Sequence, residues 1–207
     1  MHDRIEWGLT ISPETGYYQE VLMRVIAGKA KGHHLKFPKG APTRPATDLV
    51  RGAIFSILEN MTGDWKQVLD LFSGSGALGI EALSRGAGWV DFVDREPKCC
   101  AIIKDNLEAT RLAAQAHIYC CNVSKALSFL KNKEYDIILM DPPYADTSIG
   151  IFIEQLATSK LVGIATTVVL THSPHLHLDS SYAALNQIKE HRHGDSCISF
   201  YHKEAAA

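Results

Sequence analysis

Residues 69–83 read LDLFSGSGALGIEAL, and this stretch predicts the fold of the chain. An apolar strand over 68–72 runs into a glycine-rich turn, after which a helix is expected over 76–85. The turn, residues 74–79, is called the glycine loop and matches G-x-G-x-x-G between a strand and a helix. Its glycines let the backbone pass close to a nucleoside cofactor. The loop by itself does not distinguish NAD from other nucleoside cofactors.

The rest of the chain alternates between strand-like and helix-like segments. Further strands are predicted over 89–93, 116–119, 135–140 and 166–170, and further helices over 97–112, 123–131 and 148–158. Because near-continuous apolar strands alternate with helices, we predict a Rossmann-like, doubly wound α/β sheet that is mostly parallel. Two more strand candidates, 185–191 and 197–201, flank Gly194-Asp195 and predict an antiparallel C-terminal hairpin. The expected sheet therefore has seven strands.

The chain of 207 residues is expected to form one domain with a short N-terminal extension. Residues 1–22 contain no clear hydrophobic period, and no role is predicted for this extension. The working domain is predicted over 23–207. Within it, we expect a small β-hairpin and helix over 23–60 and the sheet core over 61–203.

The composition excludes several classes of protein. No run of about 18 apolar residues occurs, so no membrane span is expected. The N-terminus does not resemble a secretion signal, and we therefore expect a cytoplasmic protein. The five cysteines lack C-x-x-C spacing, which predicts reduced structural thiols and no metal site.

A basic block covers residues 23–51, which contain seven Lys or Arg and one Asp, a local net charge of +6. Because the whole chain has a net charge of −2, this block indicates a surface that binds a polyanion. A solvated charged segment without a partner is the alternative interpretation. The residues expected to bind nucleic acid are Arg24, Lys29, Lys31, Lys36, Arg44 and Arg51.

Two carboxylates accompany the glycine loop. Asp94 ends the next predicted strand, about 20 residues after the first glycine, where an acidic residue binds the ribose hydroxyls of a nucleoside cofactor. Asp70 lies just before the loop. A carboxylate in that place favours a cationic ammonium or sulfonium group over a pyrophosphate. Asp70 therefore favours S-adenosylmethionine over NAD.

The second motif is Asp141-Pro142-Pro143-Tyr144, which follows the strand predicted over 135–140. These residues, 141–144, are called the acceptor segment. The exocyclic amine of a nucleobase is a weak nucleophile with two N–H bonds, and Asp141 and the Pro142 carbonyl are suited to accept both. Tyr144 is expected to stack on a base that has left its pairing partner.

Taken in order, these motifs resemble the class I S-adenosylmethionine-dependent methyltransferases that modify amino groups of bases. The closer similarity is to the RsmD family, which methylates guanine N2 in 16S ribosomal RNA. Each motif alone is common, whereas the ordered combination is specific. The matching segments are 24–29, 44–48, Arg51, 53–58, 70–82, 141–144 and the Gly194-Asp195 hairpin.

The resemblance implies S-adenosyl-L-methionine as cofactor and 16S rRNA, within the small ribosomal subunit or its assembly intermediate, as substrate. It implies that Asp70 and the glycine loop hold the methionine moiety and that Asp94 holds the ribose. Asn122 stands where the family usually has the Asp that holds the adenine amino group. The implied cofactor-binding residues are Asp70, Phe72, Ser73, Gly74, Ser75, Gly76, Gly79, Asp94, Arg95, Asn122, Val123 and Thr47. The implied catalytic residues are Asp141, Pro142, Pro143 and Tyr144.

Three other functions remain open at this point. The acceptor segment equally suits an adenine N6 methyltransferase that acts on DNA or RNA, although no target-recognition domain is visible. A non-catalytic RNA-binding assembly factor is a second alternative. The presence of both Asp141 and the glycine loop disfavours it. An NAD-dependent dehydrogenase is the third, and no Tyr-x-x-x-Lys motif supports it.

Overall fold

The computed structural model describes residues 9–11, 18–20, 23–38, 47–144, 146 and 148–203 of the chain. Arg44 lies outside the described residues, so its predicted role stays a prediction. In chain order, the strands and α-helices are β1 (Leu9–Ile11), β2 (Tyr18–Glu20), α1 (Asp48–Met61), β3 (Gln67–Leu71), α2 (Ala77–Arg85), β4 (Trp89–Asp94), α3 (Pro97–Ala109), β5 (Ala116–Cys120), α4 (Val123–Phe129), β6 (Tyr135–Met140), α5 (Ile149–Ala157), β7 (Val162–His172), β8 (Ser181–Tyr182), β9 (Leu185–His193) and β10 (Ser196–Lys203).

The main sheet has the strand order β5-β4-β3-β6-β7-β10-β9-β8. The pairs from β5 to β7 are parallel, whereas β7, β10, β9 and β8 pair antiparallel. This arrangement confirms the predicted Rossmann-like sheet with an antiparallel C-terminal hairpin. The described part of the sheet has eight strands rather than seven. The additional strand, β8, has two residues and is too short to produce a period-2 pattern in the sequence.

Helices cover both faces of the parallel strands. The cores of α1, α2 and α3 share one apolar cluster, which contains Phe55 and Phe92, and those of α4 and α5 share a second one with Leu71. Because successive strand residues point to opposite faces, Val68 and Asp70 face α2 while Leu69 and Leu71 face the second cluster. No helix among the described residues has the length and apolar character required to cross a bilayer.

Strand β7 begins four residues earlier than the sequence predicts. The pairing register with β6 shifts between Tyr135 and Ile137, which marks an irregularity at the start of the strand. There the Thr166 hydroxyl donates to the Tyr135 carbonyl at 2.6 Å and accepts from the Gly163 amide at 2.8 Å. The Thr166 side chain thus supplies hydrogen bonds where backbone pairing is interrupted. An alternating apolar pattern does not indicate such an irregularity, so the early start of the strand was not predicted.

Residues 23–38 form a docked segment that is called the N-terminal arm. The predicted hairpin is present there as a turn with one β-bridge between Arg24 and His34, without regular strands. Gly28 has φ +78°, and a Cβ on it would lie 1.9 Å from the Ser84 carbonyl oxygen. The arm is therefore fixed by close backbone contact with α2 rather than by a strand ladder.

The described residues of the N-terminal extension form a small sheet of their own. Strands β1 and β2 pair antiparallel, with Leu9 opposite Glu20 and Ile11 opposite Tyr18. This two-stranded sheet is separate from the main sheet. The predicted division of the chain at residue 23 stays a prediction.

Candidate active site

The turn that leads from β3 through the glycine loop to α2 contains three residues with positive φ. Phe72 has φ +59°, Gly74 has φ +55° and Gly76 has φ +77°. The hydroxyl group of Ser73 donates to the Asp70 carbonyl oxygen at 2.6 Å and accepts from the Val93 amide at 3.0 Å. These bonds tie the loop to the ends of β3 and β4. The turn is therefore held by the two strands that flank the expected cofactor.

Gly79 shows why the third glycine of the motif is required. A Cβ on this residue would lie 2.3 Å from Cε1 of Phe92 and 2.9 Å from Oδ2 of Asp70. The Gly79 amide donates to the same Asp70 oxygen at 2.9 Å. Any larger residue here would displace either the aromatic core or the Asp70 carboxylate. The loop also gains support from α3, because Asn106 donates to the Ser75 carbonyl at 2.9 Å.

Asp70 is a buried carboxylate with an incomplete set of partners. Its exposed fraction is 1%, and its Oδ1 atom has no hydrogen-bond partner among the described residues. Burial raises the pKa of Asp70 to about 8; the Gly79 bond opposes this shift, and the charges of Asp141 and Asp94 add to it. A buried carboxyl oxygen without a partner is costly, so the site is suited to a cationic ligand.

Asp94 ends β4 and accepts two backbone hydrogen bonds. Its Oδ2 atom accepts from the Gly74 amide at 2.8 Å, and its Oδ1 atom accepts from the Glu96 amide at 2.9 Å. Each carboxylate oxygen has two lone-pair sites, so capacity for ribose hydroxyls remains. The neighbouring Arg95 side chain is exposed and pairs with Glu96 at 3.3 Å.

Asn122 is the N-cap of α4. Its Oδ1 atom accepts from the Lys125 amide at 2.8 Å. The oxygen that was predicted to bind the adenine amino group thus already has one donor. Val123 follows as the first residue of α4 and is buried. Thr47 likewise caps α1, accepting from the Val50 amide at 3.3 Å, and its predicted cofactor contact stays a prediction.

The acceptor segment begins directly after β6 with Asp141. The hydroxyl group of Thr171, on the adjacent strand β7, donates to Oδ1 of Asp141. Strands β3 and β6 are parallel neighbours, with Asp70 opposite Leu139 and Leu71 opposite Met140. The two carboxylates therefore emerge at neighbouring strand ends, and the charge of Asp141 acts on Asp70. The structure thus brings the predicted cofactor side and the predicted acceptor side together.

The rest of the acceptor segment connects this edge to the C-terminal hairpin. Pro142 is buried, and the Pro143 carbonyl accepts from the Asp146 amide at 2.8 Å. Tyr144 is 40% exposed, and its hydroxyl group donates to Oγ of Ser196 at 2.7 Å. The ring is thereby held at the surface beside the turn between β9 and β10.

Several residues of the basic block lie at the surface. Arg24 pairs with Asp48 at 3.4 Å, and Lys36 pairs with Asp105 at 2.8 Å, so part of the positive charge is compensated. The predicted nucleic-acid-binding residues that are exposed are Arg24, Lys29, Lys31 and Lys36.

Arg51 requires a correction. It was predicted to bind phosphate at the surface, but its side chain is fully buried. Its Nη2 atom donates to the Arg24 carbonyl at 2.6 Å and to Asp48 at 2.7 Å. Burial lowers the pKa of Arg51, and the charges of Asp48 and Glu81 oppose that shift. The residue therefore fastens the N-terminal arm to α1, which a count of basic residues does not reveal.

Two residues of the site were missed by sequence reasoning. Thr171 and Ser196 contact Asp141 and Tyr144, yet neither belongs to a motif. Their positions follow from the antiparallel pairing of β10 with β7, which sets Thr171 opposite Ile198.

A metal site was not expected, and the described residues hold no group of three or more His, Cys, Asp or Glu arranged to bind a metal ion.

The family of the chain follows from a comparison with known proteins. The model of the family described as "Conserved hypothetical protein 95" matches residues 23–202. The chain belongs to this family. The resemblance to the RsmD family is confirmed by this match and by relatives called ribosomal RNA small subunit methyltransferase D.

Two relatives illustrate the similarity. The putative rRNA methyltransferase YlbH of Bacillus subtilis is 34% identical over 186 residues, which cover 87% of this chain and 99% of that protein. Ribosomal RNA small subunit methyltransferase D of Escherichia coli K12 is 38% identical over 124 residues. That match covers 59% of this chain and 60% of the relative.

Solved structures share the fold of this chain. The putative methyltransferase yhhF from Escherichia coli has a TM-score of 0.74 and 29% identity, and the match covers 89% of this chain and 99% of that one. The SMU.776 putative methyltransferase, solved in complex with SAH, has a TM-score of 0.66 at 16% identity. That match covers 83% of this chain and 54% of the other, and it supports the fold alone.

Proposed function

We propose that this chain transfers a methyl group from S-adenosyl-L-methionine to the exocyclic N2 amine of a guanine in 16S ribosomal RNA. The observation that carries the proposal is the placement of Asp70 and Asp141 at neighbouring ends of β3 and β6. One carboxylate suits a cationic cofactor and the other suits an amine acceptor. We assign the activity to residues 23–207 and the RNA to the small ribosomal subunit or its assembly intermediate, in the cytoplasm. The names of the relatives in Bacillus subtilis and Escherichia coli support rRNA as the substrate class.

The residues of the glycine loop fit S-adenosyl-L-methionine. The unpartnered Oδ1 atom of Asp70 would bind the ammonium group of the methionine moiety, next to the backbone of residues 74–79. Asp94 would accept hydrogen bonds from the ribose hydroxyls, and the start of α4 at Asn122 and Val123 would contact the adenine. When bound, the cofactor supplies an electrophilic methyl group on a sulfonium. A pyrophosphate beside the buried Asp70 would be repelled, which disfavours NAD.

The acceptor segment orients the target amine. Asp141 and the Pro142 carbonyl accept its two N–H bonds, which turns the nitrogen lone pair away from the base plane. As the new N–CH₃ bond forms, the S–CH₃ bond would break and its electron pair would stay on the sulfur, which becomes a neutral thioether. The amine nitrogen would become positively charged and would lose one proton to Asp141. Tyr144 stacks on the unpaired base, a contact worth about 1–3 kcal/mol. Rate acceleration comes mainly from holding the two reactants in line.

The RNA backbone is assigned to a groove between the N-terminal arm and α1. This groove has a volume of about 640 Å³ and is lined by Arg24, Lys31, Leu49 and Ser56, among other residues. The exposed side chains of Lys31 and of Arg24, which pairs with the groove residue Asp48 at 3.4 Å, are suited to phosphate, and Leu49 is suited to a ribose or base face. Because phosphate binding releases counterions, we expect RNA binding to weaken as the salt concentration rises.

The test is labelled methyl transfer onto small subunits that lack the modification, followed by mass spectrometry of the product nucleoside. N2-methylguanosine in 16S rRNA is the expected product. Methylated adenine N6 would favour the alternative enzyme, and cofactor-dependent RNA binding without transfer would favour an assembly factor.

A pair of variants tests the mechanism. Asp141→Ala should abolish transfer while calorimetry shows cofactor binding close to that of the wild type. Asp64→Ala, which removes an exposed carboxylate in the loop after α1, serves as the control and should leave transfer unchanged. Full activity of Asp141→Ala would overturn the mechanism.

A further inference from the structure

The hydroxyl group of Thr171 is buried next to the acceptor segment. The exposed fraction of Thr171 is 1%, and its hydroxyl group donates to Oδ1 of Asp141. The Met140 carbonyl lies 3.5 Å from the same hydroxyl, a distance too long for it to compete as the main acceptor. The single hydroxyl proton of Thr171 is therefore directed at the carboxylate.

Thr171 has little freedom to move, because its strand is central in the sheet. On one side β7 pairs with β6, and Leu170 lies opposite Met140. On the other side it pairs with β10, and Thr171 lies opposite Ile198. The pairing with β6 holds the residue before Thr171 and the pairing with β10 holds Thr171 itself, and a β-branched side chain in a strand has a restricted χ1 angle. The donor is therefore preorganised before any substrate binds.

A fixed donor matters because a carboxylate turns about its Cβ–Cγ bond. A hydrogen bond to one oxygen restricts this rotation, and it thereby limits the directions of the lone pairs on both oxygens. An amine acceptor requires that direction, since its own lone pair must align with the bond that breaks. A displacement of about 1 Å at a reacting group lowers the rate by about 100-fold.

We propose that Thr171 is the positioning residue of the acceptor site, and that its hydroxyl group holds the Asp141 carboxylate in the orientation that accepts the target N–H. This inference rests on the proposed methyl transfer. Thr171 itself touches neither the cofactor nor the base. Its effect is therefore expected in turnover rather than in the binding of either reactant.

The test compares two substitutions of Thr171. Thr171→Val keeps the shape of the side chain and removes the hydroxyl group, whereas Thr171→Ser keeps the hydroxyl group and removes the methyl. For transfer onto unmodified small subunits, kcat of Thr171→Val should fall by about 10- to 100-fold while KM and cofactor affinity are retained. Thr171→Ser should restore most of the turnover.

Thr166→Val is the matched control. Thr166 is also a buried threonine of β7, and its hydroxyl group bonds the Tyr135 carbonyl at the opposite end of the strand. This variant should lower Tm without lowering kcat. If both valine variants reduce kcat in proportion to their loss of Tm, the role of Thr171 is structural and the inference is overturned.

The remaining outcomes separate a failure of the role proposed for Thr171 from a failure of the proposed function. Wild-type kcat in Thr171→Val overturns this inference and leaves the proposed function intact. In an Asp141→Asn background, residual transfer should be insensitive to Thr171→Val, and a full additional loss would contradict an action through Asp141. An inactive wild-type protein overturns the proposed function and this inference with it.

Discussion

The glycine loop and the acceptor segment lie at neighbouring strand ends, yet they are held in different ways. In the loop, Gly79 bonds Asp70 and Gly74 bonds Asp94, over separations of 9 and 20 residues. In the acceptor segment, the partners Thr171 and Ser196 are 30 and 52 residues away. The bonds from the loop to Asp70 and Asp94 are local, although Asn106 also supports Ser75 over 31 residues, whereas the acceptor segment depends on antiparallel strands late in the chain. Changes in the loop should therefore affect folding and cofactor binding together, and changes around the acceptor segment should affect methyl transfer to RNA without changing cofactor affinity.

The largest effect is expected from Gly79→Ala. The new Cβ would overlap Phe92 and approach Asp70, so both the core and the cofactor site would have to shift. We expect the free energy of unfolding to fall by about 1–3 kcal/mol, with loss of measurable cofactor binding. Thermal unfolding and calorimetry measure the two effects.

Gly52→Ala is the control for this variant. Gly52 lies in α1, and a Cβ there meets no atom within 4 Å. Alanine should stabilise the helix by about 0.5–1 kcal/mol without changing cofactor affinity. Cofactor affinity equal to that of the wild type in Gly79→Ala would contradict the claim that the glycine loop, unlike the acceptor segment, couples folding to cofactor binding.

The next effect concerns Asp70 and pH. Its pKa is raised from 3.8 to about 8 in the folded protein, so the folded state binds the proton more tightly than the unfolded state. The contribution of this carboxyl group to stability is therefore fully present below the unfolded pKa, and it is lost as pH rises through about 8. A cationic ligand requires the ionised form, so cofactor affinity should increase as pH is raised towards 8.

The variant Asp70→Asn separates the effect of this carboxyl group on stability from its effect on cofactor affinity. At pH 8 the ligand-free variant should be more stable than the wild type, by about 1 kcal/mol or more, because no charge is buried. Cofactor affinity should fall at least about tenfold, the equivalent of one lost charge-assisted hydrogen bond. Calorimetry across pH 6–9 measures both affinity and proton release. A variant that retains the pH dependence of the wild type would exclude Asp70 as its source.

A smaller effect is expected at the other end of the acceptor segment. Tyr144→Phe removes the bond to Ser196 but retains the ring, and Ser196→Ala removes the same bond from the other side. Each should lower kcat/KM for RNA by about 2- to 5-fold, since a half-exposed hydrogen bond contributes about 0.5–1 kcal/mol. Cofactor affinity should not change.

The double variant sharpens this prediction. If the hydrogen bond is the cause, Tyr144→Phe with Ser196→Ala should be no slower than either single variant. Additive losses would mean that the two hydroxyl groups act separately on the RNA.

The smallest effect is expected at the adenosine end of the cofactor site. Asn122→Asp keeps an N-cap oxygen for the Lys125 amide and replaces the amide nitrogen with a second acceptor. We expect cofactor affinity to rise by about 2- to 3-fold, the equivalent of about 0.5 kcal/mol. Weaker binding by isothermal titration would mean that the adenine amino group is held elsewhere.

Much of the candidate site could be predicted because its signals are local. The spacing of Asp70, Gly79 and Asp94 follows the strand–turn–helix geometry of the loop, and Asp141 follows an apolar strand. The fold was predictable for the same reason, since strands buried on both faces show continuous apolar runs. The prediction that Arg51 binds nucleic acid was wrong for a physical reason. The side chain of Arg51 is basic and looks like a surface group, but burial and two hydrogen bonds make it part of the interior.

By itself the sequence determined the order of strands and helices, the glycine loop and the carboxylates at the strand ends. Hydrophobic period and turn chemistry act between residues that are close along the chain, and a pattern in the sequence records them directly. Only the tertiary structure decided that Thr171 supports Asp141, that Ser196 holds Tyr144 and that Glu81 accepts the Ile26 amide of the N-terminal arm. These contacts join residues 30 to 55 positions apart, and they form only when sheet pairing and helix packing bring distant segments together, so no local pattern in the sequence records them.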